Sequence, residues 1–349
     1  MSWVTDLARE EIRALKPYQH AAWEPSLTRL HANELPWRVA GDVSEAGLNR
    51  YPEPQPPDLV AAFAALYGVA ADQVLVGRGS DEAIDLLVRI FCRAREDSII
   101  VCPPTYSMYA VAAGIQGAGV VSVPLRQPGF SLDVDAVLAN VTDRTRLVFA
   151  CSPNNPTGNL LARDALIDLA RRLAPRALLV VDEAYVEFTG TKSLGAEIAA
   201  LPNVAVMRTL SKAHGLAGAR CGVLIADAGV IALARKVIPP YAVTELTVEA
   251  VRPLLTPNGI ASMQQRIAAL LTERARLATG LSGSPLIERV YPSDANYVMV
   301  DSPAADEVLA RIRSVGMIIR DVRQLLLPRA LRISVGTPEQ NERLLRSLA

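Results

Sequence analysis

ALLVVDEAYVEF, residues 177–188, is the stretch on which the fold turns. It opens with five apolar residues in a row and then brings an aspartate, two glutamates and a tyrosine within six positions. A strand with one wet face alternates apolar and polar side chains. An unbroken apolar run is instead buried on both faces, as in a parallel sheet covered by helices. IIVC at 99–102, LVFA at 147–150 and VAVM at 204–207 repeat the pattern. Shorter strands are expected at 73–76, 120–123 and 221–225, with helices at 59–67, 82–91, 106–113, 163–173 and 230–237. Strand and helix alternating over 45–240 imply a mostly parallel, doubly wound α/β domain. Beyond it lie a long helix at 259–280, a strand at 296–300, a helix at 306–315 and strands near 317–320 and 331–335. These suggest a smaller α+β domain built from 29–44 and 241–349, with 1–28 as an N-terminal arm. YPEPQPPD at 51–58 holds four prolines in six positions, which suits a stiff connector and no helix interior.

Composition removes several classes of function. Among 349 residues, 36 Lys and Arg balance 36 Asp and Glu, and half of the chain is apolar. A disordered chain would be less apolar and more highly charged, and a nucleic-acid binder would carry a basic excess to displace counterions from phosphates. The first sixteen residues include Asp6, Arg9, Glu10, Glu11 and Arg13, so no signal-peptide stretch is evident. No apolar run approaches the ~20 residues that span a bilayer. Cys92, Cys102, Cys151 and Cys221 are scattered without a CxxC, and His20, His31 and His214 are dispersed. Free thiols in a reducing cytoplasm are expected, with no metal site, no nucleic acid and no membrane among the partners.

In open α/β sheets the chemistry lies beyond the carboxyl ends of the strands. GRGSDE at 77–82 joins a strand to a helix there. Its glycines allow close backbone approach, Ser80 can cap the helix, and the helix N-terminus favours an anion, although a plain capped turn reads the same way. SPNNPTG at 152–158 fixes an irregular turn in which an Asn could face a ligand oxygen or water. Asp182 closes a buried strand, where a carboxylate is costly without a cationic partner. Tyr185 follows on the same loop. LSKAHGLAGARCG at 210–222 sets Ser211, Lys212 and Arg220 among small residues. A lysine there can be desolvated, lose its proton and attack a carbonyl. Phosphate turn, strand-end acid, ring-oxygen donor and amine are together the parts that pyridoxal 5′-phosphate requires.

The order of these parts resembles the fold-type-I, pyridoxal-phosphate-dependent aminotransferases of class II. In finer detail the chain resembles the histidinol-phosphate aminotransferases. LARE, LKPYQ, HANELP, NRYPEPQP, GRGSDEAIDLL, CPPTYSMY, SPNNPTG, VVDEAYVEF, RTLSKAHGLAGARCG, KVIPPY, SDANYVMV and LRISVGT fall in family order from about residue 6 to 345. The resemblance implies that Lys212 joins the cofactor's aldehyde as a Schiff base and moves the substrate's proton. Asp182 would keep the pyridine nitrogen protonated, Asn155 and Tyr185 would hold the ring O3′, and Tyr106 would stack on the ring. Gly79, Ser80, Asp81, Ser211 and Arg220 would hold the phosphate, joined by Tyr51 from the partner subunit of a homodimer.

For the substrates, the resemblance implies that Arg332 grips the anionic end, with Arg320 nearby and Tyr18 and Asn33 close to the bound molecule. A guanidinium fork suits both carboxylate and phosphate. On the residues alone, a plain surface ion pair with Asp321 is the favoured reading of Arg320. The implied reaction passes an amino group from L-histidinol phosphate to 2-oxoglutarate, a step of histidine biosynthesis, in two half-reactions. An aromatic aminotransferase or a threonine-phosphate decarboxylase would share the same cofactor set. VRQLLLPRA at 322–330 is more apolar than a surface loop requires.

Overall fold

The computed structural model describes residues 2–21, 24 and 26–349. Seven strands form one sheet: β1 (Val74–Gly77), β2 (Ser98–Val101), β3 (Gly119–Ser122), β4 (Thr145–Cys151), β5 (Leu178–Asp182), β6 (Val204–Thr209) and β7 (Gly222–Ile225). Their order is β1-β7-β6-β5-β4-β2-β3, so β1 lies at one edge with β7 as its sole neighbour in the sheet. Every neighbouring pair is parallel except the two that β7 makes.

The packing explains the unbroken apolar runs. In β5, Leu179 and Val181 join the core on one face of the sheet, and Leu178 and Val180 join the core on the other. Residues of the helices Pro57–Tyr67 and Arg163–Leu173 complete the first core. Those of Ser80–Phe91, Met108–Gln116 and Ala228–Val237 complete the second. Each fully buried aliphatic side chain contributes about 1.5–3 kcal/mol. A polar residue at any of these strand positions would forfeit that and face an apolar helix.

A second sheet, antiparallel throughout, has the order β10-β11-β9-β8. Its strands are β8 (Arg289–Val290), β9 (Tyr297–Asp301), β10 (Arg320–Asp321) and β11 (Ala330–Ser334). The helices Pro257–Ser282, Ala305–Ser314 and Pro338–Ser347 pack on it through Leu277, Val308 and Leu344. Its Tyr297 leaves that core, packs against Tyr185 and donates its hydroxyl to the Asn154 carbonyl (2.6 Å). The two sheets are thereby tied together at the carboxyl ends of the parallel strands.

Several expectations are corrected. The strand expected near 317–320 shrinks to Arg320–Asp321. Ser80 is not the cap of its helix: that position belongs to Gly79, and no side chain bonds back to the helix. The helices Val134–Ala139, Glu245–Val251 and Pro338–Ser347 were not expected. In the apolar segment 322–330, Leu327 is buried while Leu325 stands in solvent. No helix among the described residues is long and apolar enough to cross a membrane.

Candidate active site

The carboxyl ends of β4, β5 and β6 open on a cavity of about 660 Å³, lined by Ser80, Asp81, Tyr106, Asn155, Asp182, Tyr185, Ser211, Lys212, Arg220, Arg320 and Arg332, among others. Reversal of β7 is what brings Arg220 to this end. The first residue of β7, Gly222, pairs with Gly77 at the end of β1 and Thr209 at the end of β6. Arg220, two residues before it, therefore reaches the cavity, while Cys221 between them is buried in the core.

Asp182 ends β5 and is 3% exposed. Its Oδ1 accepts from the Ala184 amide (3.1 Å) and its Oδ2 from the Tyr109 hydroxyl (2.8 Å). Loss of water dominates its titration and raises the carboxyl to about 6; the two hydrogen bonds and Lys212 oppose that rise. Lys212 lies across the cavity, its Nζ 5.6 Å from the centre of the Tyr185 ring. Partial desolvation lowers its affinity for a proton, and the Arg332 guanidinium lowers it further. An amine so tuned is more often free to attack a carbonyl.

The anion end of the cavity is built from backbone. Gly79 takes a φ of +98°, outside the reach of ordinary side chains, and leads into the helix Ser80–Phe91. Gly222 packs directly behind it: a methyl group there would meet the Arg208 carbonyl oxygen at 2.6 Å and Gly79 Cα at 2.8 Å. Arg220 spans this turn, donating to Ser211 Oγ (3.4 Å), the Arg78 carbonyl (3.4 Å) and Asp81 Oδ2 (3.5 Å). These contacts are long and the guanidinium is exposed, so an anion would compete for it on favourable terms.

At the other end, Arg332 donates to Asn155 Oδ1 and lies 5.1 Å from the centre of the Tyr297 ring. The Asn155 amide donates in turn to the Tyr185 hydroxyl at 3.5 Å. Burial raises the Tyr185 phenol's pKa, and Cys151 adds to the rise, so its proton stays on as a donor. Tyr106 donates to Asp81 Oδ1 (3.0 Å) from the cavity wall. Arg320 also lines the wall. The alternative pairing of Arg320 with Asp321 is not what forms. Asp321 pairs with Arg323 (2.7 Å), because side chains two apart on an extended chain share a face and adjacent ones do not.

Four expected residues do not line the cavity of their own chain: Gly79, which lies behind Ser80 in the turn, and Tyr51, Tyr18 and Asn33, which stand apart from it. Tyr51 stacks on Tyr241 (4.6 Å between centres), and Tyr18 joins the same aromatic group through His20. Asn33 sits in the N-terminal segment with a φ of +57°. Conversely, Tyr109, Thr209 and Thr105 belong to the site or its immediate support and were not anticipated.

Residues 32–348 match the family model described as aminotransferase class I and II. The chain is 43% identical over 345 residues to the histidinol-phosphate aminotransferase of Aeromonas salmonicida (strain A449), covering 95% of this chain and 94% of that protein. It is 43% identical over 352 residues to the enzyme of the same name from Stenotrophomonas maltophilia (strain R551-3), covering 99% and 96%. Among solved structures it resembles the histidinol-phosphate aminotransferase of Sinorhizobium meliloti in complex with pyridoxal-5′-phosphate. There the TM-score is 0.78 and the identity 26%, over 86% of this chain and 82% of that one.

Proposed function

The chain belongs to the class I and II aminotransferases, and within them to the histidinol-phosphate aminotransferases; from this premise we propose how its residues work. The reaction moves the amino group of L-histidinol phosphate to 2-oxoglutarate, giving imidazole acetol phosphate and L-glutamate. The observation that carries the reading is one cavity holding a buried carboxylate, an amine of lowered basicity and the guanidinium groups of Arg220, Arg320, Arg323 and Arg332.

The residues present fit pyridoxal 5′-phosphate. Asp182 is a buried carboxylate that faces the cavity, and burial raises its pKa, so a cation placed against it would be favoured. A protonated ring nitrogen is such a cation. The turn at Gly79, Ser80 and Asp81, with Ser211 and Arg220 from the loop between β6 and β7, would hold the phosphate; Tyr106 lines the wall beside the ring, and Asn155 and Tyr185 would hold its O3′. When bound, the cofactor supplies an aldehyde for the amino group and a ring that withdraws electrons from the substrate's Cα. With the cofactor held there, Lys212, whose amine lines the cavity with a lowered proton affinity, would be the base that takes the proton from the substrate's Cα and gives it back. Arg332, with Arg320, holds the carboxylate of glutamate in one half-reaction and the phosphate of histidinol phosphate in the other, since one guanidinium fork suits both. Tyr18 and Asn33, in the N-terminal segment, are assigned to positions near the bound substrate.

The working unit is a homodimer in the cytoplasm. Leu30, Trp37, Val39 and Val43 stand exposed along the N-terminal segment, which suits a subunit interface. Tyr51 lies outside its own cavity and is assigned to the phosphate site of the partner. The four cysteines are free and buried, as suits a reducing compartment.

Histidinol phosphate added alone to the loaded enzyme should convert its absorbance within one half-reaction, and 2-oxoglutarate should restore it. Phenylalanine and threonine phosphate, offered side by side, should act more slowly. A spectrum unmoved by histidinol phosphate would overturn the reading.

A further inference from the structure

We propose that Tyr109 is a positioning residue for the site: its hydroxyl locks the Asp182 carboxylate in one orientation, with an open lone pair aimed at the cofactor's ring nitrogen. The inference rests on the reading of Asp182 as that nitrogen's partner and assigns a role to a residue that does not line the cavity.

The geometry is that of a two-point clamp. A lone carboxylate on a strand end can rotate about its last bond. Here the Ala184 amide takes Oδ1 and the Tyr109 hydroxyl takes Oδ2, so the plane is fixed and each oxygen keeps one lone pair. Tyr109 is itself held without freedom. It is fully buried, stacks on Phe149 with ring centres 4.7 Å apart and planes within 11°, and meets Tyr106 edge-on at 5.7 Å. Phe149 is on β4 and Tyr106 faces the cavity, so the phenol is clamped between the sheet and the cofactor's own neighbour.

The same bond keeps the carboxylate charged enough to act. The groups facing Asp182 are Tyr109 from the helix Met108–Gln116, Tyr106 just before that helix, Cys151 from β4, Asp81 from the start of the helix Ser80–Phe91, Tyr185 from the loop after β5, Lys212 from the loop after β6, and Tyr297 from β9. Burial and Asp81 favour the protonated acid; the Tyr109 hydroxyl, the Ala184 amide and Lys212 favour the anion. Among the opposing groups, the Tyr109 bond is the largest.

Y109F tests this, because it removes one oxygen and keeps the stacked ring. An isotope-edited infrared titration of the cofactor-free protein, with D182N as baseline, reads the Asp182 proton directly. Y109F should move that titration up by about one unit and weaken cofactor binding roughly tenfold or more. In a D182N background the same change should alter cofactor affinity little, since no anion remains to be held. A Y109F chain that folds only in combination with D182N would support the inference equally, as the unpaired buried carboxylate would be the cause. An unshifted infrared titration, or an equal loss of affinity with and without Asp182, would overturn it. Neither result bears on the reaction itself, which fails separately if the wild-type enzyme does not respond to histidinol phosphate.

Discussion

Burial holds the Asp182 carboxyl near 6, against 3.8 in an unfolded chain. The folded protein therefore binds that proton more tightly, and between the two values it holds more protons than the unfolded chain does. Stability from this residue is present below the unfolded value and is lost as pH rises through the folded one, by on the order of 3 kcal/mol at neutral pH. Cofactor-free D182N should accordingly melt at a higher temperature than the wild type at pH 7–8. The advantage should shrink below about pH 6 and vanish near pH 4, which a series of thermal melts would show; the same variant should lose turnover. Asp182 and Lys212 were legible in the sequence because their positions are unusual for their charge, one ending an apolar strand and the other following one among small residues. Tyr109 was not singled out, since a tyrosine on an apolar helix face looks the same whether its hydroxyl meets solvent, a carbonyl or the essential carboxylate. Ser80 was misjudged for a related reason: the sequence shows a capping residue type but not that Gly79 already occupies the cap.

Among elements, the turn after β1 and the start of β7 act as one unit. Gly222 has backbone on both sides, at 2.6 and 2.8 Å from where a methyl group would stand, so nothing flexible can yield. Gly222→Ala should force the Gly79 turn outward, at an overpacking cost of about 1–3 kcal/mol. Both the melting temperature and the cofactor affinity should fall, and a cofactor titration followed by fluorescence would check it. A variant that keeps wild-type affinity would show that the turn adapts. The buried strands were the most readable elements, because two-faced burial writes itself as an apolar run. The short strand at Arg320–Asp321 was not, as it is set by pairing with β11 and both of its residues are exposed. The last helix carried an overlooked mark: Thr337, Pro338 and Gln340 supply a capping box and a first-turn proline, and the structure forms that box.

At the level of the whole molecule, the sequence separates the parallel sheet from the antiparallel one by its change in rhythm after residue 240, but not how Tyr297 and Arg332 reach back into the first sheet's loops. Contacts so distant in sequence leave no periodic trace. The proposed homodimer can be tested through the sites that its subunits would share. Lys212→Ala and Tyr51→Ala chains, each impaired alone, should regain activity when mixed and refolded together. In a hybrid, one site carries both lesions and the other carries neither. Mixing without recovery would mean that Tyr51 serves its own chain or none. The strand order has a consequence for how the protein is made. β1 is the first strand of the large sheet to leave the ribosome, yet its one partner, β7, is the last. Until Ile225 has been synthesised, the edge of β1 and the apolar residues Val74–Val76 have no native strand to pair with, and the phosphate turn lacks Arg220. Assembly of the site thus waits on a long-range closure that slows folding. Incomplete chains expose an unpaired apolar edge in the meantime, where association between chains competes with the native closure.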